Sequence, residues 1–421
     1  MKSWIEVPAD SHFPIQNIPF GIYTLPENPA WGSRACVAIG EYILDLHELN
    51  NAGYFENHAI KQSDFLSHSY NCFLDNANFA WREVRRSLMN WLCVGENRLQ
   101  KDTALLKRAL HHQSTVQMQL PIQVRDYTDF YSSLDHATNV GIMFRGRENA
   151  LMPNWKHMPI AYHGRASSII GSGVPLHRPQ GQMRPDDSKP PIFGASKQLD
   201  FELETAFVLC RPSKQGTPIA ADMLRNYAMG MVLFNDWSAR DIQKWEYQPL
   251  GPFLGKNFAS SMSNWIVTFD ALEGARIESP IQDPKPLPYL QHNDQYQHYD
   301  IELEVEIVPK TGQGKVVSRS NAKHLYWSMG QQLAHHTING CNVNPCDLMA
   351  SGTISAPTPD GYGSMLELAW RGEKPIEMPD NSKRIFIEDG DTVIMRGYAK
   401  HESGIKIGFG ELHTEVLPPA L

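Results

Sequence analysis

Apolar and acidic residues alternate strictly in the segment Ile301–Pro309, which reads IELEVEIVP. Side chains of a β-strand point alternately to opposite faces, so this pattern predicts a strand with one apolar face and one face of carboxylates. Similar alternating segments, Leu199–Leu209 and Ile385–Gly397, occur in the same glycine- and proline-rich region after residue 120. This organisation is typical of an antiparallel, β-rich domain.

The first 120 residues are organised differently, with short β-like segments followed by helical periodicity. Phe20–Leu25 and Ala35–Ile43 are apolar segments punctuated by proline and glycine, which favours strands. From Phe79 to Leu110, apolar residues recur at intervals of three and four among many charges, which predicts one or two helices.

The length of 421 residues suggests more than one hydrophobic core, because single cores stop growing at about 250–300 residues. Gln117–Pro121 follows the predicted helices and ends in a proline, which cannot extend a helix. We predict that this segment is a linker between two domains, 1–120 and 121–421.

Charge and composition argue against several classes of protein. Lysine and arginine number 38 against 46 acidic residues, a formal charge of −8 without a basic block, so no nucleic-acid partner is expected. No apolar run approaches the roughly 20 residues of a membrane helix, and no signal-peptide stretch is present. Six scattered cysteines suit a reducing compartment. We therefore expect a cytoplasmic protein that contacts neither nucleic acid nor membrane.

Two carboxylates in LDFELETAF are candidate metal ligands. Strand alternation puts Glu202 and Glu204 on one face of Leu199–Leu209, opposite its apolar residues. Neighbouring carboxylates repel each other unless they face water or share a cation, and hard oxygen ligands suit Mg²⁺ or Ca²⁺. The glutamates of Ile301–Pro309 show the same spacing, so the pattern alone does not distinguish an exposed face from a metal site.

The segment NDWSARDIQKWEY predicts a helix. Asp236 lies near its expected start, where free backbone N–H groups and the helix dipole favour a carboxylate. Arg240, Gln243 and Tyr247 follow at helical spacing and can share a face with it, which is either a solvated surface or the wall of a site. The next segment, PLGPFLGK, ends the helix and presents Lys256 from a loop.

A histidine lies among acidic residues in DYTDFYSSLDHATN. An imidazole suits general base catalysis because its unperturbed pKa is near neutral, so His136 is a candidate base. Glu367, in GSMLELAW, is either an outward-facing strand residue or a buried carboxylate that needs a partner. His136 would be a suitable partner.

Segments from the whole chain resemble the fumarylacetoacetase (fumarylacetoacetate hydrolase) family. They are DYTDFYSS, HATNVGIMFRG, YHGRASS, LDFELE, NDWSARDIQ, PLGPFLGK and SGTISAP, together with FPIQNIPFG near the N-terminus and GFGELHTEVLPP near the C-terminus. The resemblance implies a mainly β, α+β fold. It further implies an N-terminal SH3-like β-barrel domain, a C-terminal mixed β-sandwich roll that holds the site, and a homodimer.

The resemblance also implies roles for individual residues. The implied ligands of Mg²⁺ or Ca²⁺ are Asp129, Glu202, Glu204 and Asp236, and a second cation position involves Asp236, Lys256 and Ser260. The implied catalytic groups are His136 as base, Glu367 as its partner, and Arg240, Gln243 and Lys256 as oxyanion donors. The implied substrate contacts are Tyr131, Arg145, Tyr162, Gln243, Tyr247 and Thr353. Four residues depart from the usual pattern of the family: Ser260, Asn257, Ala259 and Asp135.

The reaction that the resemblance implies is hydrolysis of a β-diketo acid. Water activated by His136 would cleave a carbon–carbon bond of 4-fumarylacetoacetate, giving fumarate and acetoacetate at the end of tyrosine and phenylalanine catabolism, while a divalent cation would stabilise the enolate leaving group. Two alternatives stay open. One is a lyase, isomerase or decarboxylase on the same metal scaffold, and the other is an inactive, metal-stabilised binding protein.

Overall fold

The computed structural model describes residues 1–76, 79–401 and 404–420, without the side chain of Gln62. Within these residues the chain is mainly β with short helices, which confirms the α+β class expected from the sequence. None of the described helices is long and apolar enough to cross a membrane.

The N-terminal part contains a five-stranded antiparallel sheet with the strand order β4-β3-β2-β1-β5. Its described strands and helices are β1 (Phe20–Thr24), β2 (Arg34–Ile39), β3 (Tyr42–Asp45), α1 (Leu46–Asn51), α2 (Asn71–Asn76), α3 (Ala80–Leu92), α4 (Arg98–Lys101), α5 (Thr103–Ala109), β4 (Leu110–His112) and β5 (Gln117–Gln119).

Three predictions for this part need correction. The segment Ala35–Ile43 is two paired strands, because Gly40 adopts a positive φ of 57° and turns the chain between β2 and β3. The helical region contains three helices instead of one or two, since Cys93 is extended after α3, Gly95 (φ 100°) turns the chain, and Asp102 caps α5. The proposed linker contains β5, which pairs with β1, so Gln117–Gln119 belongs to the N-terminal sheet.

The rest of the chain consists of many short strands and five short helices within the described residues. They are β6 (Tyr127–Phe130), α6 (Leu134–Arg145), β7 (Ala161–Gly164), β8 (Ile169–Gly171), β9 (Leu176–His177), β10 (Gln180–Met183), β11 (Ile192–Ala195), β12 (Leu199–Asp200), β13 (Leu203–Leu209), α7 (Leu224–Tyr227), β14 (Ala228–Asn235), β15 (Ser238–Ala239), α8 (Arg240–Glu246), β16 (Ser260–Met262), β17 (Val267–Thr268), β18 (Arg276–Ile277), β19 (His298–Tyr299), β20 (Ile301–Val308), β21 (Lys315–Asn321), α9 (Met329–Thr337), β22 (Leu348–Ala350), α10 (Met365–Leu368), β23 (Ile376–Glu377), β24 (Lys383–Arg384), β25 (Thr392–Lys400) and β26 (Lys406–Leu417).

Two sheets dominate this part. The first has the order β7-β6-β22-β13-β14-β16-β8, with β17 also paired to β14, and the second has the order β21-β20-β25-β26-β9. The alternation in the Ile301–Pro309 segment produces β20 as predicted, with its apolar side chains buried and its glutamates half-buried. The segment Ile385–Gly397 becomes a strand only from Thr392, because Gly390 (φ 89°) turns the chain before it.

The central strands β13 and β14 of the first sheet are buried on both faces. On β13, Leu203 and Phe207 belong to a core shared with the second sheet, whereas Ala206 and Val208 belong to a core shared with the N-terminal part. Parallel and antiparallel strands covered on both sides carry no solvent-facing row. Glu204 on β13 and Glu202 immediately before it are both buried, so an exposed face for these glutamates is excluded.

Candidate active site

Four carboxylates converge at one edge of the first sheet. Asp129 lies on β6, Glu204 near the start of β13, Glu202 immediately before β13, and Asp236 immediately after β14. The strand order of the sheet places β6, β22, β13 and β14 side by side, so residues that are far apart in sequence become neighbours. All four are buried, and one oxygen atom of each lies within 4.8 Å of the others.

The residues of this cluster fit a hard divalent cation. Asp129 Oδ1 and Glu204 Oε1 are buried without a hydrogen-bond partner among the described residues. Buried carboxylate oxygens are rarely left unpaired, because their desolvation is costly. Oxygen-only donor sets are those that Mg²⁺ and Ca²⁺ prefer. A cation between these oxygens would supply the missing partner.

The pKa shifts of the cluster show how crowded its charges are. Burial, followed by the charge of Asp236, raises the pKa of Asp129 well above its usual value, and burial with Asp129 does the same for Glu204. Burial opposes ionisation of Glu202 as well, but Lys256 and Arg240 hold its pKa at about 2. The two carboxylates with unpaired oxygens are thus the ones that most need a further positive charge.

Lys256 and Ser260 lie against the cluster. The Lys256 ammonium donates to Glu202 Oε2 and to Asp236 Oδ2, both at 2.6 Å, and Ser260 Oγ donates to Asp236 Oδ1 at 2.9 Å. Burial disfavours the ammonium, but Asp236 and Glu202 raise the pKa of Lys256 above its usual value. A protonated amine has no lone pair, so the side chain of Lys256 is a hydrogen-bond donor and not a metal ligand.

His136 and Glu367 form a buried pair. Nδ1 of His136 lies 2.6 Å from Glu367 Oε2, and both residues are almost inaccessible to solvent. Burial opposes the charge of Glu367, but His136 and surrounding hydroxyl and amide donors lower its pKa. Because the carboxylate is ionised, Nδ1 is the donor, and the neutral ring then carries its lone pair on Nε2.

Arg240 and Gln243 lie beside the cluster on α8. Arg240 Nε donates to Asp200 Oδ2 at 2.8 Å, and its Nη1 donates to Gln243 Oε1 at 3.3 Å. Its Nη2 atom lies 2.9 Å from Glu202 Oε1. The Gln243 oxygen is therefore engaged, which leaves its amide NH₂ group as a donor. Cationic and amide donors are thus available next to the carboxylate cluster.

The predicted substrate contacts differ in how the structure presents them. Tyr131 packs edge-on against His136 with 5.3 Å between ring centroids, and the Tyr162 hydroxyl donates to Asp236 Oδ2 at 2.6 Å. The buried hydroxyl of Thr353 has no partner among the described residues. In contrast, Tyr247 is about half exposed at the end of α8. Arg145 is exposed as well and donates to the main-chain oxygens of Asn149 and Ala150.

Sequence reasoning missed several residues that hold these groups in place. Glu367 accepts hydrogen bonds from Asn139 Nδ2 (2.9 Å), Ser355 Oγ (3.0 and 2.9 Å) and Ser364 Oγ (2.8 Å). Asp129 Oδ2 accepts from the Tyr127 hydroxyl at 2.9 Å. Only Asp200 had a signal in the sequence, because it precedes Glu202 at the same period of two as Glu204.

Three local predictions around the site were wrong. Asp236 does not cap a helix, because α8 begins at Arg240 and the Asp236 carboxylate binds side chains instead. The segment Leu199–Leu209 is not one strand, since the Glu202 N–H donates to Asn235 Oδ1 between β12 and β13. Of the two alternatives for Glu367, the outward-facing strand residue is wrong, because Glu367 lies in the short helix α10, whose Ser364 cap accepts from its N–H. The other alternative, a buried carboxylate with His136 as its partner, agrees with the structure.

Of the four residues that depart from the family pattern, Ser260 contacts the carboxylate cluster through Asp236, and the other three are not members of the cluster. Ala259 is buried, and the main-chain oxygen of Asn257 accepts from Ser168 Oγ at 2.7 Å. Asp135 lies in the first turn of α6, where burial and the charge of Glu367 raise its pKa.

Comparisons with known proteins cover essentially the entire chain. Residues 16–121 match the fumarylacetoacetase N-terminal family, and residues 126–417 match the fumarylacetoacetate hydrolase C-terminal family. Human fumarylacetoacetase is 50% identical over 420 residues, and this match covers 100% of the present chain and 99% of the human one. The fumarylacetoacetase of Arabidopsis thaliana is 47% identical over 420 residues, and the match covers 99% of each chain. A solved fumarylacetoacetate hydrolase from Exiguobacterium antarcticum shares the fold, with a TM-score of 0.52, 15% identity, and coverage of 95% of this chain and 99% of its own.

Proposed function

The chain belongs to the fumarylacetoacetase family, and on that basis we propose that it hydrolyses 4-fumarylacetoacetate to fumarate and acetoacetate, at the end of tyrosine and phenylalanine catabolism. The observation that carries this proposal is the juxtaposition of a four-carboxylate cluster with a His136–Glu367 pair and the donors of Arg240 and Lys256. A metal scaffold with a buried base and cationic donors is suited to water attack on a carbonyl group.

Asp129, Glu202, Glu204 and Asp236 would hold Mg²⁺ or Ca²⁺. A divalent cation at this position supplies Lewis acidity toward the β-dicarbonyl group of the substrate and compensates the negative charge that develops on it. At the second cation position, Asp236 and Ser260 would supply oxygen ligands, and the Lys256 ammonium would act only as a hydrogen-bond donor to Asp236.

His136 would act as the general base. Its Nε2 takes a proton from water while Glu367, fixed by Asn139, Ser355 and Ser364, holds the ring through Nδ1 and stabilises the imidazolium that forms. Positioned proton transfer of this kind typically contributes about 10²–10⁴-fold to the rate. The hydroxide equivalent forms a carbon–oxygen bond to the fumaryl ketone carbon.

Arg240, Gln243 and Lys256 would stabilise the oxyanion that results from this attack. Each retains N–H donors in addition to those that bind Glu202, Asp200 and Asp236. Preorganised donors in a buried site typically lower such a barrier by about 3–4 kcal/mol each. Collapse of the tetrahedral carbon then breaks the carbon–carbon bond, and the His136 imidazolium returns its proton to the enolate carbon to give acetoacetate.

Aromatic and hydroxyl groups would orient the substrate. Tyr131 lies against His136, and Thr353 follows Gly352, whose N–H donates to Glu204. The hydroxyls of Tyr131 and Thr353 can donate to substrate oxygens, whereas Tyr162, which donates its hydroxyl hydrogen to Asp236, can only accept a hydrogen bond. Arg145 and Tyr247 are exposed at the rim, and we propose that they contact the terminal carboxylates. Nε and Nη2 of Arg145 bind the carbonyls of Asn149 and Ala150, and the remaining N–H donors of its guanidinium can bind a carboxylate.

We further propose that the chain has two domains, 1–120 and 121–421, that it forms a homodimer, and that it works in the cytoplasm. The two family matches meet between residues 121 and 126, close to the proposed boundary. All six cysteines are free, which suits a reducing compartment. Light scattering on the purified protein tests the homodimer.

Oxygen-18 labelling tests the reaction class. Turnover of fumarylacetoacetate in H₂¹⁸O should put one label into a carboxylate of fumarate and none into acetoacetate, because water attacks the fumaryl ketone carbon. A lyase, isomerase or decarboxylase would release products without this label. Unlabelled or uncleaved product would therefore rule out the proposed hydrolysis.

A further inference from the structure

Asp200 contacts both sides of the proposed catalytic site. It is fully buried, and its Oδ2 accepts a hydrogen bond from Arg240 Nε at 2.8 Å. Its Oδ1 accepts from the Met365 N–H at 2.6 Å, and Oδ2 also accepts from the Leu366 N–H at 3.1 Å. The next residue in that turn is Glu367. We propose that Asp200 is a positioning residue that fixes the relative positions of the oxyanion-binding Arg240 and the base partner Glu367. This inference rests on the function proposed above.

On one side, Asp200 fixes the orientation of the guanidinium. Arg240 is bound through Nε to Asp200 and lies against Glu202 through Nη2. Without the Asp200 carboxylate, Nε–H would be buried unpaired, and Glu202 would be the remaining anion in contact with the guanidinium. The guanidinium would then lose the fixed orientation that the oxyanion needs.

On the other side, Asp200 fixes the turn that carries Glu367. Two consecutive main-chain N–H groups, of Met365 and Leu366, bind its two oxygens. Ser364, just before them, bridges to Glu202 through the main chain and donates its hydroxyl to Glu367. A displacement of this turn would therefore move the acceptor of the His136 Nδ1–H.

Asp200→Asn is the direct test because it keeps the shape of the side chain. An amide presents only one acceptor oxygen, so its NH₂ group must face either the Met365 N–H or the donors of Arg240 and Leu366. We expect kcat to fall by about 10²-fold or more, the size of a lost oxyanion donor, with KM changed by less than about threefold. Binding of Mg²⁺ alone, measured by calorimetry, should stay within about threefold, because Asp200 is not a member of the cluster.

Asp391→Asn is a matched control. Asp391, immediately before β25 of the second sheet, is also buried, and its Oδ2 accepts from Arg384 Nε at 2.8 Å and from the Glu388 N–H at 2.9 Å. This variant measures how much stability the protein loses when a buried aspartate that is paired with an arginine is changed outside the site. We expect a similar loss of thermal stability in both variants but a normal kcat only for Asp391→Asn.

Double-mutant cycles identify the residues through which Asp200 acts. The combined loss of kcat in Asp200→Asn with Arg240→Gln, and separately with Glu367→Gln, should be at least about tenfold smaller than the product of the two single losses, because the second change removes one of the two groups that Asp200 positions. Losses that multiply, or a kcat of Asp200→Asn close to that of the wild type, would overturn the inference. If Asp200→Asn does not fold, the same cycles use Asp200→Ser, which leaves room for a water.

Failure of the proposed function would look different. If the wild-type protein cleaved another β-diketo acid instead of fumarylacetoacetate, the proposed substrate would be wrong. The same kcat ratios, measured on the substrate that is cleaved, would still decide the role of Asp200.

Discussion

Nδ1 of His136 lies 2.6 Å from Oε2 of Glu367, although 231 residues separate the two in sequence. The carboxylate has three further side-chain partners, in Asn139, Ser355 and Ser364, so its position is overdetermined. A base held this firmly can transfer a proton without reorganising its surroundings. The proposed mechanism depends on this pair.

Glu367→Gln should lower kcat by about 10²–10⁴-fold with little change in KM. Both carboxylate oxygens accept hydrogen bonds, so the amide NH₂ of glutamine would oppose a donor in either orientation and would no longer stabilise the imidazolium. Steady-state kinetics measures the effect, and unchanged Mg²⁺ affinity serves as the internal control. A kcat within about threefold of the wild type would remove Glu367 from the mechanism.

Glu204→Gln should weaken metal binding and stabilise the metal-free protein. The carboxylate has an unpaired oxygen, and its pKa is raised by burial and by Asp129, so its charge is unfavourable without a cation. We expect at least about tenfold lower Mg²⁺ affinity by calorimetry and a Tm in EDTA that is higher by about 2–4 °C. Glu304→Gln, on the half-buried face of β20, is the control and should change neither quantity. Normal Mg²⁺ affinity in Glu204→Gln would contradict the proposed ligand set.

Gly164→Ala should impair the site through Tyr127. A Cβ at Gly164 would lie 2.0 Å from Tyr127 Cδ1, and Tyr127 donates to Asp129. The ring must move, so both Mg²⁺ affinity and kcat should fall by about tenfold or more. At Gly194 the nearest atom to an added Cβ is 3.6 Å away, so Gly194→Ala should behave like the wild type. Equal activity of the two variants would show that the Tyr127 contact does not matter.

Acid should destabilise the protein through His298. Burial lowers the pKa of His298 to about 4, below the value of about 6.5 expected in the unfolded chain. The folded state therefore binds fewer protons, and its stability is complete above about pH 6.5 and declines as the pH falls toward 4. The loss amounts to about 3 kcal/mol.

Denaturant unfolding at several pH values measures this loss. Replacing His298 by glutamine should flatten the curve between pH 6.5 and 4, whereas His177→Gln, at an exposed position, should not. An unchanged curve in His298→Gln would assign the acid sensitivity to other groups.

The fold could be predicted from the sequence wherever local periodicity decides the structure. The alternation of Ile301–Val308 produced a half-buried strand, because its two faces have different partners. Gln117–Gln119 was expected to belong to a linker, but it pairs with β1. This pairing could not be predicted from local sequence, because β1 lies almost 100 residues earlier in the chain. Turns at Gly40 and Gly95 likewise divided segments whose apolar pattern is continuous.

The candidate site depended more on tertiary structure. Asp236 precedes a predicted helix and was therefore expected to cap it. Its actual partners are Tyr162, Lys256 and Ser260, which come from other segments and cannot be identified from a local pattern. The resemblance to a family implied four metal ligands, and the structure brings all four together. Composition and periodicity alone did not decide whether Glu202 and Glu204 lie on an exposed face or in a metal site. Asp200 shares the spacing of Glu202 and Glu204, but that spacing does not reveal its partners, Arg240 and the N–H groups of α10, which come from other segments.

Metal-dependent turnover tests the central claim most directly. Purified protein is treated with a chelator, assayed with fumarylacetoacetate, and assayed again after Mg²⁺ or Ca²⁺ is added, with both products identified. We predict negligible cleavage after chelation and restored release of equal amounts of fumarate and acetoacetate with the cation. Full turnover by the chelated protein, or stoichiometric Mg²⁺ binding without cleavage, would contradict the account.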